Sequence, residues 1–258
     1  MDSLHFFRII GRRTLNFFRE FGGIHILIGR IFKNLGTLAR DWDLLVDQLV
    51  QIGVRSLPLV SVVSIFAGAV SAWQAAHQLE GIMPLDFLGS AAGKAILLEM
   101  GPVLTGLVIA GRNGASIAAE IGSMAVTEQV DALESLAIDP VRYLTVPRVV
   151  AATVMLPVIV IYADAIAMLG AYMVANIVYH QSAPEFFSSF REYFEMIDII
   201  VSLSKAVLFG FTTSLIGCYV GLQTRGGARG VGSAAIRAFV YSSAVILIND
   251  FLVTMIIL

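Results

Sequence analysis

Residues 97–114 read LLEMGPVLTGLVIAGRNG, and most of this stretch is as apolar as a membrane span. It nevertheless contains a carboxylate at Glu99, the helix-breaking pair Gly101-Pro102 and a cation at Arg112. An ionised group in the hydrocarbon of a bilayer is costly, so it usually faces a partner charge or a wet cavity. The stretch therefore predicts a transmembrane helix with one polar side.

The composition of the whole chain supports a membrane protein. Of its 258 residues, 57% are hydrophobic and 14% charged, with a mean hydropathy of +0.83, whereas soluble domains carry about a quarter charged residues. Five apolar runs are each long enough to cross the hydrocarbon core as a helix: 57–79, 88–111, 149–179, 199–222 and 235–258. Runs of this length favour helices over the short alternating strands of a barrel. We predict an all-α polytopic membrane protein with five spans.

The N-terminal region has the pattern of an amphipathic helix that lies in the membrane interface. Its arginines interleave with large apolar side chains: Arg8, Arg12, Arg13 and Arg19 with Phe6, Phe7, Ile10, Phe17, Phe18 and Phe21. The next apolar run, 24–32, is too short to span and predicts an interfacial or elbow helix. We therefore divide the chain into an interfacial region, 1–54, and a five-span domain, 55–258.

The distribution of basic residues predicts the orientation. Eight of the 17 Lys and Arg lie in residues 1–55, three in 112–148 and three in 225–237. By the positive-inside rule these regions are cytoplasmic, and alternation over five spans then places the C-terminus on the far side. The net charge of −2 gives no indication of a nucleic-acid partner.

Four ionisable residues stand out as candidates deep within the predicted spans: Glu99, Asp164, Lys205 and Asp250. Glu99 is about 11 residues (~16 Å) into span two, and Lys205 is about 7 residues (~10 Å) into span four, both counted from the far side. This similar depth predicts an ion pair or a shared polar cavity, with a purely structural pair as the alternative. Asp164 and Asp250 have no opposite charge in their own spans. Each of these two aspartates has two possible roles, a polar contact between helices or a proton relay.

The loop 113–148 predicts an amphipathic helix over about 126–139. One helical stripe is apolar: Val126, Val130, Leu133 and Ala137. Another face is acidic: Glu128, Asp131 and Glu134. Asp139-Pro140 is expected to end the helix, because a residue before proline avoids the α region. Such a helix suits docking on a soluble partner, and a solvated connector fits the pattern equally well.

Other motifs predict no catalysis by this chain. No G-x-x-x-x-G-K-[ST] sequence occurs, and the four histidines and one cysteine lack metal-ligand spacing. The pairs Gly89-x-x-x-Gly93 and Gly217-x-x-x-Gly221 permit close approach of helices, either within the chain or between two copies. We expect no catalytic residue, metal or cofactor in the chain itself.

A family resemblance is carried by residues 99–148. This segment contains EMGPVLTGLVIAGR from Glu99, AEIGSM from Ala119, TEQ from Thr127, AIDP from Ala137 and PR from Pro147. Together these motifs resemble the signature of the MlaE/YrbE permeases, which are membrane subunits of MCE-type phospholipid ABC transporters. The resemblance continues more loosely through Lys205 and 233–250.

The resemblance implies an assembly and a set of partners. It implies a homodimer of five-span subunits, an ABC ATPase that binds ATP and Mg, a periplasmic MCE-domain ring (hexameric), and in some systems a STAS-domain protein. A coupling helix after span two would dock on the ATPase through these residues: Thr127, Glu128, Asp131, Leu133, Glu134 and Asp139. Arg112 and Glu120 would be structural residues at the cytoplasmic end of span two.

The resemblance also implies where the substrate binds. A phospholipid would occupy a cavity between the subunits, at Glu99 and Lys205. Some relatives carry a basic residue just before that glutamate, where this chain has Leu98.

The expected function is therefore ATP-driven movement of phospholipid between the inner membrane and an MCE protein, which maintains outer-membrane lipid asymmetry. The N-terminus would be cytoplasmic and the C-terminus periplasmic. Two alternatives are a secondary transporter that uses Glu99, Asp164 and Asp250 as proton carriers, and a non-transporting membrane anchor.

Overall fold

The computed structural model describes residues 18, 20, 22–38 and 40–257. Within this part of the chain the regular structure is helical, and no strand occurs. Most of the arginine- and phenylalanine-rich stretch of residues 6–21 lies outside the described residues. Residues 22–34 form a helix that continues into a short 3₁₀ turn, Leu35–Thr37.

Five helical segments are long and apolar enough to cross a membrane, which confirms the predicted five-span α-helical fold. We number them spans 1 to 5: Trp42–Leu79, Leu85–Val126, Val141–Tyr179, Met196–Leu222 and Gly227–Ile257. Span 1 contains two helices, Trp42–Ile52 and Leu57–Leu79, joined by a short turn. Span 2 runs about four helical turns beyond the apolar run that predicted it.

Span 2 is irregular around Gly101-Pro102. Its backbone is π-helical over Ile96–Leu104 and again over Ala110–Gly114, with Pro102 inside the first of these segments. A proline lacks an N–H and clashes with the preceding turn of a regular α-helix. A wider π-helical turn accommodates it, and such turns are frequent at functional sites.

A helix between spans 3 and 4, which we call the outer helix, covers the N-terminal end of span 2. It runs over Ala183–Tyr193 and begins with a capping box, in which Ser182 and Glu185 exchange side-chain and backbone hydrogen bonds. The backbone N–H and the side chain of Ser182 stabilise the carboxylate, and they hold the pKa of Glu185 below its usual value. Phe186 of this helix is fully buried.

The glycine pairs of the sequence pack within the chain. Gly89 and Gly93 lie against Phe186 and Phe190 of the outer helix, while Gly217 and Gly221 of span 4 lie against span 2. The intrachain alternative for these motifs is therefore confirmed. The same device brings spans 1 and 3 together, where Gly68 and Gly170 each face the backbone of the other helix.

Gly68→Ala is expected to lower the thermal stability of the chain. A methyl group at this position would collide with the backbone carbonyl of Ala167, which cannot rotate away. Overpacking of this kind costs about 1–3 kcal/mol. Thermal melts of the purified full-length chain in detergent measure the effect. Gly29→Ala is the matched control, because it meets no atom within 4 Å. Equal melting temperatures for the two variants would contradict this packing.

Candidate functional site

Lys205 lies at the centre of a buried polar cluster formed by three spans. Its Nζ lies 2.9 Å from Glu99 Oε1 on span 2 and 2.7 Å from Asp250 Oδ1 on span 5. It also donates a hydrogen bond of 2.7 Å to the backbone carbonyl of Leu98. The ammonium therefore donates two hydrogen bonds, and its close ion pair with Asp250 Oδ1 lacks hydrogen-bond geometry. The Glu99–Lys205 ion pair predicted from helix depth is present.

Pro102 removes the donor that the carbonyl of Leu98 would have in a regular α-helix. In a regular α-helix this oxygen would accept the N–H of the residue four positions later, and that residue is Pro102, which has none. Lys205 of span 4 donates to the oxygen instead. The proline in span 2 and the lysine in span 4 thus form one structural unit.

Asp250 is the member of the cluster that sequence reasoning did not pair. It lies 7 residues before Ile257, the end of span 5, and Lys205 lies 9 residues after Met196, the start of span 4. At 1.5 Å per residue these depths are about 11 and 14 Å from the same side of the membrane. The depth argument that paired Glu99 with Lys205 would have found Asp250 had it been applied across all spans.

The cluster is most exposed at Glu99. The side chain of Lys205 is 0% exposed, that of Asp250 is 18% exposed and that of Glu99 is 44% exposed. With all three groups ionised, two carboxylates and one ammonium give a net charge of −1. Glu99 is therefore the most accessible of the three charges.

Asp164 stands apart from this cluster. It is buried in span 3, where its Oδ1 lies against Gly101 and has no hydrogen-bond partner within the described part of the chain. Asp164 therefore packs against the π-helical turn that carries Glu99. It is not a member of the Lys205 cluster.

A second polar network lies at the other end of span 2. Arg112 donates hydrogen bonds to Ser56 Oγ (2.6 Å) and to the carbonyl of Gln51 (3.3 Å), both before the apolar part of span 1. Glu120 accepts from Gln51 Nε2 (2.8 Å) and from Arg148 Nη2 of span 3 (3.3 Å). Arg112 and Glu120 therefore connect spans 1, 2 and 3 at this end.

The segment expected to couple to an ATPase is a shorter helix than predicted. The predicted helix over about 126–139 is wrong in extent, since the structure has a helix only over Gln129–Ser135. Glu128 has a left-handed backbone (φ 60°) that separates it from Val126, the last residue of span 2. The predicted apolar stripe therefore starts on a different helix.

The C-terminal end of this short helix also precedes Asp139-Pro140. Ala137 is left-handed (φ 58°), and the N–H groups of Ala137 and Ile138 bond back to the carbonyls of Glu134 and Leu133. This is a Schellman ending with alanine in the position that glycine usually occupies. Sequence reasoning missed both boundaries because neither left-handed residue is a glycine or asparagine.

The exposed surface of this segment is acidic with an apolar tip. Asp131 and Glu134 are exposed, while Leu133 is partly buried. Leu136 is 71% exposed and Ile138 38% exposed, and neither was among the predicted docking residues. Their exposure follows from the early helix end, which turns the chain after Ser135.

Two further predicted docking residues, Thr127 and Asp139, form hydrogen bonds within the chain. Thr127 donates to the carbonyl of Ser123 and accepts from Gln129 Nε2. Asp139 accepts from Arg30 Nη2 (2.6 Å) and Asn34 Nδ2 (3.0 Å), which lie on the helix 22–34. Asp139 therefore holds the segment against the N-terminal helix.

An ion pair strengthens this attachment. Arg142 contacts the carboxylate of Asp41 through Nε (3.0 Å) and Nη2 (3.2 Å). Two-point contact of this kind is the strong form of an arginine–carboxylate pair. The segment after the short helix is thus fixed to the N-terminal region at two places.

Comparison with known proteins identifies the family. Residues 45–256 match the family described as permease MlaE. The chain belongs to the MlaE permease family. A probable ABC transporter permease protein of Rickettsia typhi is 39% identical over 251 residues, which cover 97% of each chain.

Two further relatives of this MlaE-family permease have more specific names. The intermembrane phospholipid transport system permease protein MlaE of Haemophilus influenzae is 30% identical over 252 residues, 97% of each chain. The chloroplastic protein TRIGALACTOSYLDIACYLGLYCEROL 1 of Arabidopsis thaliana is 31% identical over 231 residues, 90% of this chain and 66% of that one. The family match extends the resemblance seen over 99–148 to almost the entire five-span domain.

Proposed function

We propose that this MlaE-family permease is the membrane subunit of an ATP-driven phospholipid transporter. It would move lipid between the inner membrane and a periplasmic MCE-domain protein and so maintain outer-membrane lipid asymmetry. The observation that carries the proposal is the buried Lys205, which Glu99 connects to the exposed face of span 2. The names of the relatives support phospholipid as the substrate and an ABC transporter as the assembly.

The cluster would handle a headgroup by exchange of ion-pair partners. Lys205 is fully paired at rest, so a lipid phosphate reaches it by replacing the carboxylate of Glu99, which is the most exposed partner. One anion replaces another, and the buried ammonium stays neutralised throughout. Leu98 supplies no second cation, so a phosphate at this cluster depends on Lys205. Release is the reverse exchange, with Glu99 returning to Nζ.

A homodimer would enclose the lipid. Span 5 is the least buried of the five, with 17% of its apolar window buried within the chain. Its exposed side chains form a large apolar surface that includes Phe239, Leu247, Phe251 and Leu252. Contiguous apolar surfaces of this kind mark membrane or protein contacts. Pairing of two such faces, beside Asp250, would place the two clusters around one cavity.

The energy would come from a separate ABC ATPase that binds ATP and Mg. We place the 127–139 segment and the N-terminus in the cytoplasm and the C-terminus in the periplasm, following the positive charges. The acidic residues Asp131 and Glu134, with Leu136, would contact the ATPase. An MCE-domain ring would bind at the opposite end, and a STAS-domain protein is an optional further partner. The permease would carry out no covalent chemistry itself.

Reconstitution tests the proposal. The permease, its ATPase and its MCE partner are placed in vesicles that contain a fluorescent phospholipid, and lipid transfer to acceptor vesicles is followed. We expect transfer to require ATP and to fall in Glu99→Gln. Transfer driven by a pH gradient without the ATPase would instead establish a secondary transporter. A purified complex that contains no phospholipid would favour a membrane anchor.

Asp164→Asn is expected to leave ATP-driven transfer within about twofold of the wild-type rate. The amide has the shape of the carboxylate, and Asp164 has no ion pair to lose within the described residues. A proton-coupled transporter that uses Asp164 requires its ionisable oxygen, so it predicts a loss of transport in this variant. Asp250→Asn is the matched comparison and is expected to lower transfer, because Asp250 contacts Lys205.

A further inference from the structure

A groove separates the N-terminal helix from spans 4 and 5, with a cavity volume of about 390 Å³. Its walls are mostly apolar, with Ile24 from the N-terminal helix, Ile216 from span 4 and Val245 from span 5. Two charged residues also line it, Glu20 and Arg237. The groove is therefore an apolar slot with one anion and one cation at its edge.

The charged end of the groove lies far from the Lys205 cluster. Tyr219 lines it and follows Lys205 by 14 residues along span 4 (219 − 205), a rise of about 21 Å. Arg237 precedes Asp250 by 13 residues along span 5 (250 − 237), a rise of about 20 Å. Both helices thus place the charged end of the groove in the opposite half of the membrane, while Val245 lies five residues (250 − 245), about 8 Å, before Asp250. Its charged end is therefore distinct from the Lys205 cluster proposed for transport.

The chemistry of the groove matches a phospholipid. Neither Arg237 nor Glu20 forms an ion pair within the described part of the chain. A guanidinium binds phosphate through two parallel N–H donors, and a carboxylate accepts hydrogen bonds from an ammonium. Tyr219 and Tyr241 are placed there as well, and tyrosine is enriched at the level of lipid headgroups.

We propose that this groove binds a zwitterionic glycerophospholipid whose headgroup carries a phosphate and a primary ammonium. Arg237 holds the phosphate, Glu20 accepts hydrogen bonds from the ammonium, and one acyl chain lies along Ile24, Ile216 and Val245. The site belongs to the leaflet on the side of the 127–139 segment, and its assignment to the cytoplasmic leaflet rests on the orientation proposed above.

A bound lipid would connect three parts of the permease. Ile24 belongs to the helix whose Arg30 and Asn34 hold Asp139. A lipid that fills the space between this helix and spans 4 and 5 would fix the N-terminal helix against the bundle. The groove is thus a site for a retained lipid that supports the coupling region.

Native mass spectrometry tests the proposal on the full-length chain. The chain is reconstituted in nanodiscs of phosphatidylcholine with a minor fraction of phosphatidylethanolamine, released into detergent, and the retained lipids are counted without ATP or partner proteins. Arg237→Gln is expected to lower phosphatidylethanolamine retention about tenfold, the effect of losing one charge-assisted contact. Glu20→Gln is expected to remove the preference for phosphatidylethanolamine over phosphatidylcholine.

Arg229→Gln is the matched control, since Arg229 lies near the same end of span 5 and does not line the groove. Equal retention in Arg237→Gln and the wild type would overturn the proposal, as would equal losses in Arg237→Gln and Arg229→Gln. A disulfide between two copies of Ala244→Cys, in a Cys218→Ala background, would show that a second copy covers the groove and would also overturn it. None of these outcomes affects the ATP dependence of lipid transfer, which is measured separately.

Discussion

Lys205→Met is expected to abolish ATP-driven lipid transfer and to destabilise the permease. The lysine is 0% exposed and is the cation shared by Glu99 and Asp250, so its removal leaves two carboxylates facing each other. Breaking a buried ion pair costs about 3–5 kcal/mol, and we expect the lower end because Glu99 is partly solvated. Thermal unfolding and the vesicle transfer assay measure the two effects.

A variant whose cluster carries no charge distinguishes the effect of Lys205 on stability from its effect on lipid transfer. In the triple variant Lys205→Met, Glu99→Gln and Asp250→Asn, no buried charge lacks a partner, so we expect stability close to that of the wild type. Lipid transfer should remain absent, because the cation that receives the phosphate is missing. Wild-type transfer by this stable triple variant would reduce Lys205 to a structural residue.

Leu136→Asp is expected to weaken binding of the ATPase about 30-fold or more. Leu136 is 71% exposed at the tip of the 127–139 segment, and a buried apolar anchor of an interface commonly contributes about 2 kcal/mol. An aspartate there would add a desolvated charge beside Glu134. Titration of the purified permease with its ATPase gives the dissociation constant. In the transfer assay, the rate of ATP-driven lipid transfer should fall in parallel.

Ile82→Asp is the control for this effect. Ile82 is equally apolar and 80% exposed, but it lies in the turn between spans 1 and 2, at the opposite end of the bundle. It should leave ATPase affinity unchanged. If Leu136→Asp and Ile82→Asp bound the ATPase equally well, the 127–139 segment would not be the docking surface.

The five-span fold could be predicted because membrane spans are determined by local sequence. An apolar run of about 20 residues has few alternatives in a bilayer, and the runs needed no tertiary information. The Glu99–Lys205 pair was predictable for a related reason, since depth along a straight helix follows from residue number. Asp250 was missed because its partner was sought only within its own span.

The 127–139 segment could not be predicted in detail because its boundaries depend on backbone conformations that the sequence does not mark. Glu128 and Ala137 adopt a left-handed conformation that is uncommon for residues other than glycine, asparagine and aspartate. Periodicity alone therefore continued the helix through both positions. The exposed apolar residues Leu136 and Ile138 follow only from the actual helix end.

The π-helical turn of span 2 could be predicted only in part from the sequence. The sequence showed the helix-breaking pair Gly101-Pro102 inside an apolar run. It did not show that the carbonyl of Leu98 would receive a hydrogen bond from Lys205, because that contact joins residues 107 positions apart. The capping box of Ser182 and Glu185, which starts the outer helix, has the S-x-x-E pattern, but the sequence analysis made no prediction from it.

Cross-linking of substrate to the cluster tests the central claim most directly. A phospholipid with a photoactivatable headgroup is incorporated with the complete transporter, and labelled peptides are mapped by mass spectrometry before and after ATP is added. We predict label on the segments that contain Glu99 and Lys205, and a decrease of that label during ATP turnover. Label confined to other surfaces, or label at these residues that is unchanged by ATP, would contradict a lipid-transport role for the Lys205 cluster.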